Sequence, residues 1–340
     1  MSAQQIRWGI LGTSNISEKI AMAIQASSTS TLEAIAGRSV EKAEGFAQKH
    51  NIAKSYGTYD ALLADTDIDA IYIGLPNHLH KEWIMRAAVA GKHILCEKPF
   101  VTSLEEAQEA FAVVKKANVF CLEALMYRHH PVTLKLIELI KNKALGEIKR
   151  FNAIYTADIA ALANTTAGGS ILNLGCYPVS LIRLLAGSAH NRMTAEPSDL
   201  VSIGEMDKNR NVDRSASLLM QFPKQMTATV TVTDDMDMFT QFEVFGTEGM
   251  LTMLTNPWMP EQTDNKILIK RHDQAESAEI IITADKPLYT YQIDAVAEGI
   301  LQGSRMADDT DVSWLESLGN TIVLEAWLNQ VKAKTTEHQH

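Results

Sequence analysis

The sequence predicts an α/β protein. An N-terminal doubly wound parallel sheet should be followed by an α+β domain with a large, mostly antiparallel open sheet. Three observations lead there. Apolar runs alternate with helical stretches up to Leu122, the pattern of parallel strands joined by crossover helices. A glycine turn links the first run to the first helix. From Arg214 onward short alternating runs follow one another with brief connections, which suits antiparallel pairing. The 340 residues are long for one core, so two domains are expected, 1–122 and 123–340.

The first strand is Ile6–Leu11. It runs into Gly12-Thr13-Ser14-Asn15-Ile16-Ser17 and a helix through Ala26. Strand, glycine turn and helix form the setting of the dinucleotide fingerprint G-x-G-x-x-G/A, here in the degenerate form Gly12, Ser14, Ser17. Small residues at all three positions let a phosphate sit on the helix N-terminus. The second strand is Thr31–Ala36, and Gly37-Arg38-Ser39 lies at its carboxyl end. An NAD site would place a carboxylate there for the ribose 2′-OH. Glu33 comes too early in the strand. Arg38 offers a guanidinium fork and Ser39 a hydroxyl, which suit a 2′-phosphate, so NADP is expected rather than NAD.

Helix Val40–His50, a short helix Tyr59–Ala64 and a third strand Ala70–Leu75 come next, the last followed by Pro76-Asn77-His78-Leu79-His80. His78 and His80 lack the carboxylate or cysteine that would complete a metal set. Helix Lys81–Ala90 leads to the strand His93–Cys96 and then Glu97-Lys98-Pro99. Proline cannot continue a central strand and holds the residue before it extended. Lys98 is therefore fixed on constrained backbone past the carboxyl end of a strand, the edge where open α/β sheets bind ligands. Helix Leu104–Ala117 and Phe120–Leu122 close the pattern.

In the second half, Glu123-Ala124-Leu125-Met126-Tyr127-Arg128-His129-His130-Pro131 precedes a helix Val132–Asn142 and a strand Ile148–Tyr155. Gly168-Gly169-Ser170-Ile171-Leu172-Asn173-Leu174-Gly175-Cys176-Tyr177-Pro178 follows. If helical, it puts Asn173 and Tyr177 on one face, with Pro178 dividing or kinking the helix. Strands Ser215–Phe222, Met226–Thr233, Thr240–Gly246, Met250–Leu254, Lys266–Arg271 and Ala278–Thr283 come next, then helices Tyr291–Gln302 and Trp314–Lys332. Thr227, Thr229, Thr231 and Thr233 alternate with Ala228, Val230 and Val232, so one sheet face should be threonine-lined.

Composition narrows the partners. A charge of -10 argues against nucleic acid or an anionic membrane. No apolar run approaches the roughly 20 residues of a membrane span, and Met1–Leu11 lacks a signal-peptide pattern. Cys96, Cys121 and Cys176 are widely spaced and odd in number, which fits a reducing cytoplasm without a disulfide framework or metal site.

Gly12–Ile16, Pro76–His80, Glu97-Lys98-Pro99 and Glu123–Pro131 together resemble the Gfo/Idh/MocA family of NAD(P)-dependent oxidoreductases. The motif of Glu123–Pro131 is most similar to its dihydrodiol dehydrogenase and NADP-dependent D-xylose dehydrogenase branch. The resemblance implies a Rossmann domain whose cofactor is held by Gly12, Thr13, Ser14, Asn15, Ile16, Arg38, Ser39, Leu75, Pro76, Asn77, His80, Glu97 and Lys98. It implies that Lys98 and Tyr177 are catalytic, with a cis peptide before Pro99. Lys98, Arg128, His129, Asn173 and Tyr177 would meet the substrate. Asn173 stands where the family usually has Asp, and an amide cannot carry a carboxylate's charge.

The expected activity is reversible hydride transfer between NADP and a hydroxyl/carbonyl carbon of a sugar, polyol or trans-dihydrodiol. The expected assembly is a homodimer or homotetramer formed through the open sheet face. Asn173 keeps open an alternative, a non-catalytic NADP-binding sensor or scaffold of the same fold.

Overall fold

The computed structural model describes residues 4–304 and 314–337. The chain divides into two compact units, Met1–Met126 with Lys286–Leu318, and Tyr127–Asp285 with Gly319–His340. The first unit thus runs four residues past the expected boundary at Leu122 and takes back a later segment.

The first unit comprises β1 (Ile6–Leu11), α1 (Asn15–Ala26), β2 (Ser30–Ala36), α2 (Val40–His50), β3 (Lys54–Tyr56), α3 (Tyr59–Leu63), β4 (Ala70–Ile73), α4 (His80–Val89), β5 (His93–Glu97), α5 (Leu104–Ala117) and β6 (Cys121–Ala124). The sheet is parallel throughout, in the order β3-β2-β1-β4-β5-β6. Local chemistry starts the helices. Ser14, Ser39, Thr58 and Ser103 cap α1, α2, α3 and α5, each side-chain oxygen accepting an N–H from the first turn. Asn51 and Asn118 end α2 and α5 in the left-handed conformation that asparagine tolerates.

The period of two along each strand separates two cores. Ile71, Ile73, Ile94, Cys96 and Cys121 pack with α3, α4 and α5. Trp8, Ile10, Tyr72, Leu95 and Leu122 form the other face with α1 and α2. A later helix, Leu288–Leu301, packs on that second face through Ile293, Val296, Ala297 and Ile300. Each of the buried isoleucine and valine side chains stabilises by about 1.5–3 kcal/mol, and Ala297 by less. This requirement explains why the helix, expected in the second domain, joins the first unit. Its Asp294 accepts from Ser27 Oγ at 2.6 Å and Lys286 Nζ at 2.7 Å.

The second unit begins with α6 (Pro131–Lys141), capped by His130, and β7 (Ile148–Thr156). A π-helical turn, Ile171–Gly175, leads into α7 (Cys176–Ser188), whose residues are all buried. Pro178 has no N–H to offer Leu174, which accounts for the division expected there. The stretch Ile171–Ser188 has the length and composition of a membrane span, yet 94% of it is buried inside the fold, as a core helix would be.

β8 (Asp199–Asp207), β9 (Val212–Phe222), β10 (Met226–Thr233), β11 (Phe239–Gly246), β12 (Gly249–Met253), β13 (Asn265–Arg271) and β14 (Ala278–Ile282) follow. With β7 they form one eight-stranded sheet, β14-β13-β12-β11-β7-β10-β9-β8. Only β7 and β10 pair in parallel; the other pairs are antiparallel. After the helix Leu288–Leu301, now α8, comes α9 (Trp314–Glu337). Its second part braces β8, with Gln330 Oε1 accepting from Ser202 N and Lys334 Nζ donating to Ser202 O. The other sheet face carries half-buried Thr227, Thr229 and Thr231 and exposed Val201, Ile203 and Leu219, whereas Thr233, expected beside them, is buried with its hydroxyl 2.7 Å from Ser215 Oγ.

Candidate active site

The sheet order changes direction between β1 and β4, and ligands bind such sheets at this switch point, beyond the carboxyl ends. Gly12 follows β1 with φ +103°, a conformation that disfavours a side chain. A Cβ there would come within 2.7 Å of Gly74 O, just past β4. Glycine therefore lets the two loops close up. Ser14 directs its hydroxyl to Ser17 Oγ (3.0 Å) and Gly74 O (3.4 Å). Its hydroxyl also caps the amino end of α1 through Ser17 N, and the dipole of this 12-residue helix favours an anion there. Thr13 and Ile16 are half-buried, and Asn15 is exposed. This cradle fits a dinucleotide pyrophosphate.

Arg38 is exposed past β2, and Ser39 is half-buried where it caps α2. Burial pushes the Tyr59 phenol up, and the Arg38 guanidinium pulls it partly back. This corner thus brings together the Arg38 cation, the Ser39 hydroxyl and the Glu41 carboxylate that Ser39 meets.

Leu75 and Asn77 are buried, Pro76 and His78 exposed. The fully buried His80 bridges two backbones: Nε2 lies 2.8 Å from Leu75 O and Nδ1 2.9 Å from Pro99 O. Two carbonyls favour a proton on both ring nitrogens, but burial dominates and holds His80 below its ordinary range. One imidazole thereby ties the loop after β4 to the turn after β5. The Lys98–Pro99 bond is cis.

Behind the half-buried Lys98 lies Glu97, which accepts Tyr72 Oη at 2.6 Å and Lys98 N at 3.2 Å. Burial raises the Glu97 carboxyl, with the Lys98 ammonium and the Tyr72 hydroxyl pulling the other way. Glu123, buried on β6, accepts Phe100 N at 2.9 Å. Tyr72 and Glu123 were not singled out from the sequence. A phenol inside the run Ala70–Ile73, and a carboxylate between Leu122 and Ala124, were the available signals.

In the second unit Tyr177, on the first turn of α7, is 8% exposed. Its ring lies 6.2 Å from that of Tyr127 and 5.8 Å, edge-on, from that of Tyr155. Tyr155 stacks in turn on Trp258 at 4.9 Å. Burial pushes the Tyr155 phenol up to about 12, so it stays protonated at neutral pH. Tyr127 Oη sits 2.8 Å from Ser180 Oγ and 3.2 Å from Tyr177 O.

Arg128, expected to meet substrate, is 3% exposed, and its Nη1 donates to Ser180 O and Oγ. It braces α7 from within the fold. His129 is half-buried. Asn173 spends its amide nitrogen on the backbone carbonyls of Ala167, Gly168 and Gly169. The structure thus gathers the nucleotide candidates and Lys98 in one unit, and Tyr127, Arg128, Asn173 and Tyr177 in the other. Among the described residues, no three His, Cys, Asp or Glu side chains form a metal-binding group.

Comparison with known proteins agrees with this division. Residues 6–125 match the model of an oxidoreductase family with an NAD-binding Rossmann fold, and residues 133–252 match a GFO/IDH/MocA C-terminal domain. The chain is 32% identical to trans-1,2-dihydrobenzene-1,2-diol dehydrogenase of Xenopus tropicalis, over 75% of this chain and 77% of that protein. It is 31% identical to D-xylose 1-dehydrogenase (NADP(+)) 2 of Haloferax volcanii, over 90% and 92%. A 3-ketoreductase from Actinomadura kijaniata, solved with NADP and TDP-benzene, superposes with a TM-score of 0.86 at 26% identity, covering 96% of this chain and 98% of that one. A Rossmann unit with a glycine cradle and a lysine turn at its carboxyl edge, joined to this C-terminal sheet, marks the chain as an NAD(P)-dependent oxidoreductase of the Gfo/Idh/MocA family.

Proposed function

We propose that the chain is an NADP-dependent dehydrogenase or reductase acting on a CH–OH or C=O carbon of a sugar, polyol or dihydrodiol, with Lys98 and Tyr177 managing the proton. The observation that carries this reading is the Glu97-Lys98-Pro99 turn, pinned through His80 at the sheet edge where the dinucleotide cradle opens. Similarity to the dihydrodiol and xylose dehydrogenases supports the substrate class. NADP, when bound, supplies the hydride acceptor or donor.

Oxidation of an alcohol removes a hydride and the hydroxyl proton together. Lys98 Nζ holds the reacting oxygen, and the Tyr177 phenol takes the proton or returns it in reduction. A phenol ordinarily titrates near 10, and a cation brought beside it in the working enzyme would favour the phenolate and make it a competent base at lower pH. Arg38 and Ser39 take the 2′-phosphate.

The exposed apolar side chains on the open sheet face, Val201, Ile203 and Leu219, suit a second copy of the chain, and we propose a homodimer through this face.

A panel of aldoses, inositols and dihydrodiols with NADP, scored by formation of reduced nicotinamide, tests the activity. Turnover on one class is expected. NADP binding without turnover on any member would favour a non-catalytic sensor or scaffold.

A further inference from the structure

The turn immediately before Tyr177 is held by two side chains of opposite character. Asn173 Nδ2 lies 3.0, 3.1 and 2.9 Å from the carbonyl oxygens of Ala167, Gly168 and Gly169. Three acceptors around one nitrogen fix the amide orientation, because Oδ1 in that place would face only oxygen. A carboxylate could satisfy these carbonyls only by carrying a proton.

Asp213 on β9, 1% exposed, works on the other polarity. Its Oδ2 accepts Ser170 Oγ at 2.8 Å and Ile171 N at 2.6 Å. Gly169 lies directly on it, and an added Cβ would run into the Asp213 carbonyl and carboxylate. Gly168 has φ +81°, and a Cβ there would meet Leu172. The turn's carbonyls thus face the Asn173 amide, with Asn173 N also reaching Gly169 O at 3.1 Å, while Asp213 takes its Ile171 N–H and Ser170 hydroxyl and Asn164 O takes Gly168 N at 2.7 Å. Downstream, Tyr127 holds Tyr177 O and Asn320 Nδ2 reaches Cys176 O at 3.4 Å.

We propose that Asn173 and Asp213 are positioning residues that lock the Gly168–Ile171 turn and so aim the Tyr177 phenol, and that position 173 of this chain requires a hydrogen-bond donor. The inference rests on Tyr177 being the acid/base. Asp213 faces the turn with Asp234 and its partner Arg210 beyond it, Cys176 Sγ reaches Asn173 O, and the Tyr127 and Tyr155 rings lie against Tyr177.

The test uses the full chain with Asn173→Asp and Asp213→Asn. The first readout is the melting temperature of Asn173→Asp against wild type from pH 5 to 9. The three carbonyls raise the folded pKa of the new carboxyl above its unfolded value near 4. Its stabilising contact is then present at low pH and lost as pH rises through the raised value. The gap to wild type should therefore be small at pH 5 and widen with pH. The second readout is kcat, KM and NADP affinity. Asn173→Asp should lose at least about tenfold in kcat at pH 9, recover on acidification, and bind NADP as wild type does. Asp213→Asn, which keeps one acceptor, should retain more kcat than Asp213→Ala.

A melting gap that is absent or constant with pH overturns the lock. The expected gap with undiminished kcat at pH 9 overturns the positioning of Tyr177. Wild-type inactivity on every substrate would count against the functional reading instead and leave the melting readout intact.

Discussion

At the residue scale, this protein repeatedly uses buried polar side chains to fix backbone. His80 ties Leu75 to Pro99, Glu97 takes Tyr72 and Lys98 N, and His130 caps α6 by accepting Val132 N at 3.2 Å. Burial holds His130 near 4, against an ordinary value of 6.5, although the Glu261 backbone pulls upward. The unfolded chain then binds a proton that the folded chain refuses. Stability should fall as pH drops from about 6.5 toward 4. His130→Asn keeps a capping side chain and removes that proton, so it should flatten the acid limb of Tm against pH by an amount on the order of 1 kcal/mol. An unchanged limb in scanning calorimetry would count against the buried neutral imidazole. Such roles are hard to read from sequence: Tyr72, Glu123 and Asp213 are ordinary letters until the fold shows what encloses them.

At the element scale, the strand-to-helix turns form the proposed cofactor cradle. Gly12→Ala places a Cβ at a backbone angle it disfavours and against Gly74 O. It should weaken NADP binding by about tenfold or more, roughly 1.4 kcal/mol, in a fluorescence titration. Arg38→Asp should weaken NADP and relatively favour NAD; a wild type that prefers NAD would refute the assigned 2′-phosphate contact. These turns were legible because capping residues and glycine act locally. Two strands were not. β3, Lys54–Tyr56, has three half-buried residues and too little pattern. β8, Asp199–Asp207, is an edge strand whose outward face mixes charge with Val201 and Ile203, and Gly204 interrupts it.

At the scale of the whole molecule, both fold classes followed from the spacing of strands and helices, yet the course of the chain between units did not. α8 joins the first unit because Trp8, Tyr72, Leu95 and Leu122 present an apolar face to cover, a demand set by residues far away in sequence. Assembly belongs to this scale as well. Light scattering should give twice the 37.5 kDa chain mass, and Ile203→Lys with Leu219→Lys should return it to one. A monomeric wild type would refute the proposed role of the open sheet face.

The most direct measurement of the central claim is the single-turnover rate of hydride transfer in wild type, Tyr177→Phe and Lys98→Met, with NADP affinity measured in parallel. Both variants should slow transfer by roughly a hundred- to ten-thousand-fold, Tyr177→Phe while binding NADP nearly as before. Transfer at close to the wild-type rate in both would contradict the proposed proton-handling roles of Lys98 and Tyr177.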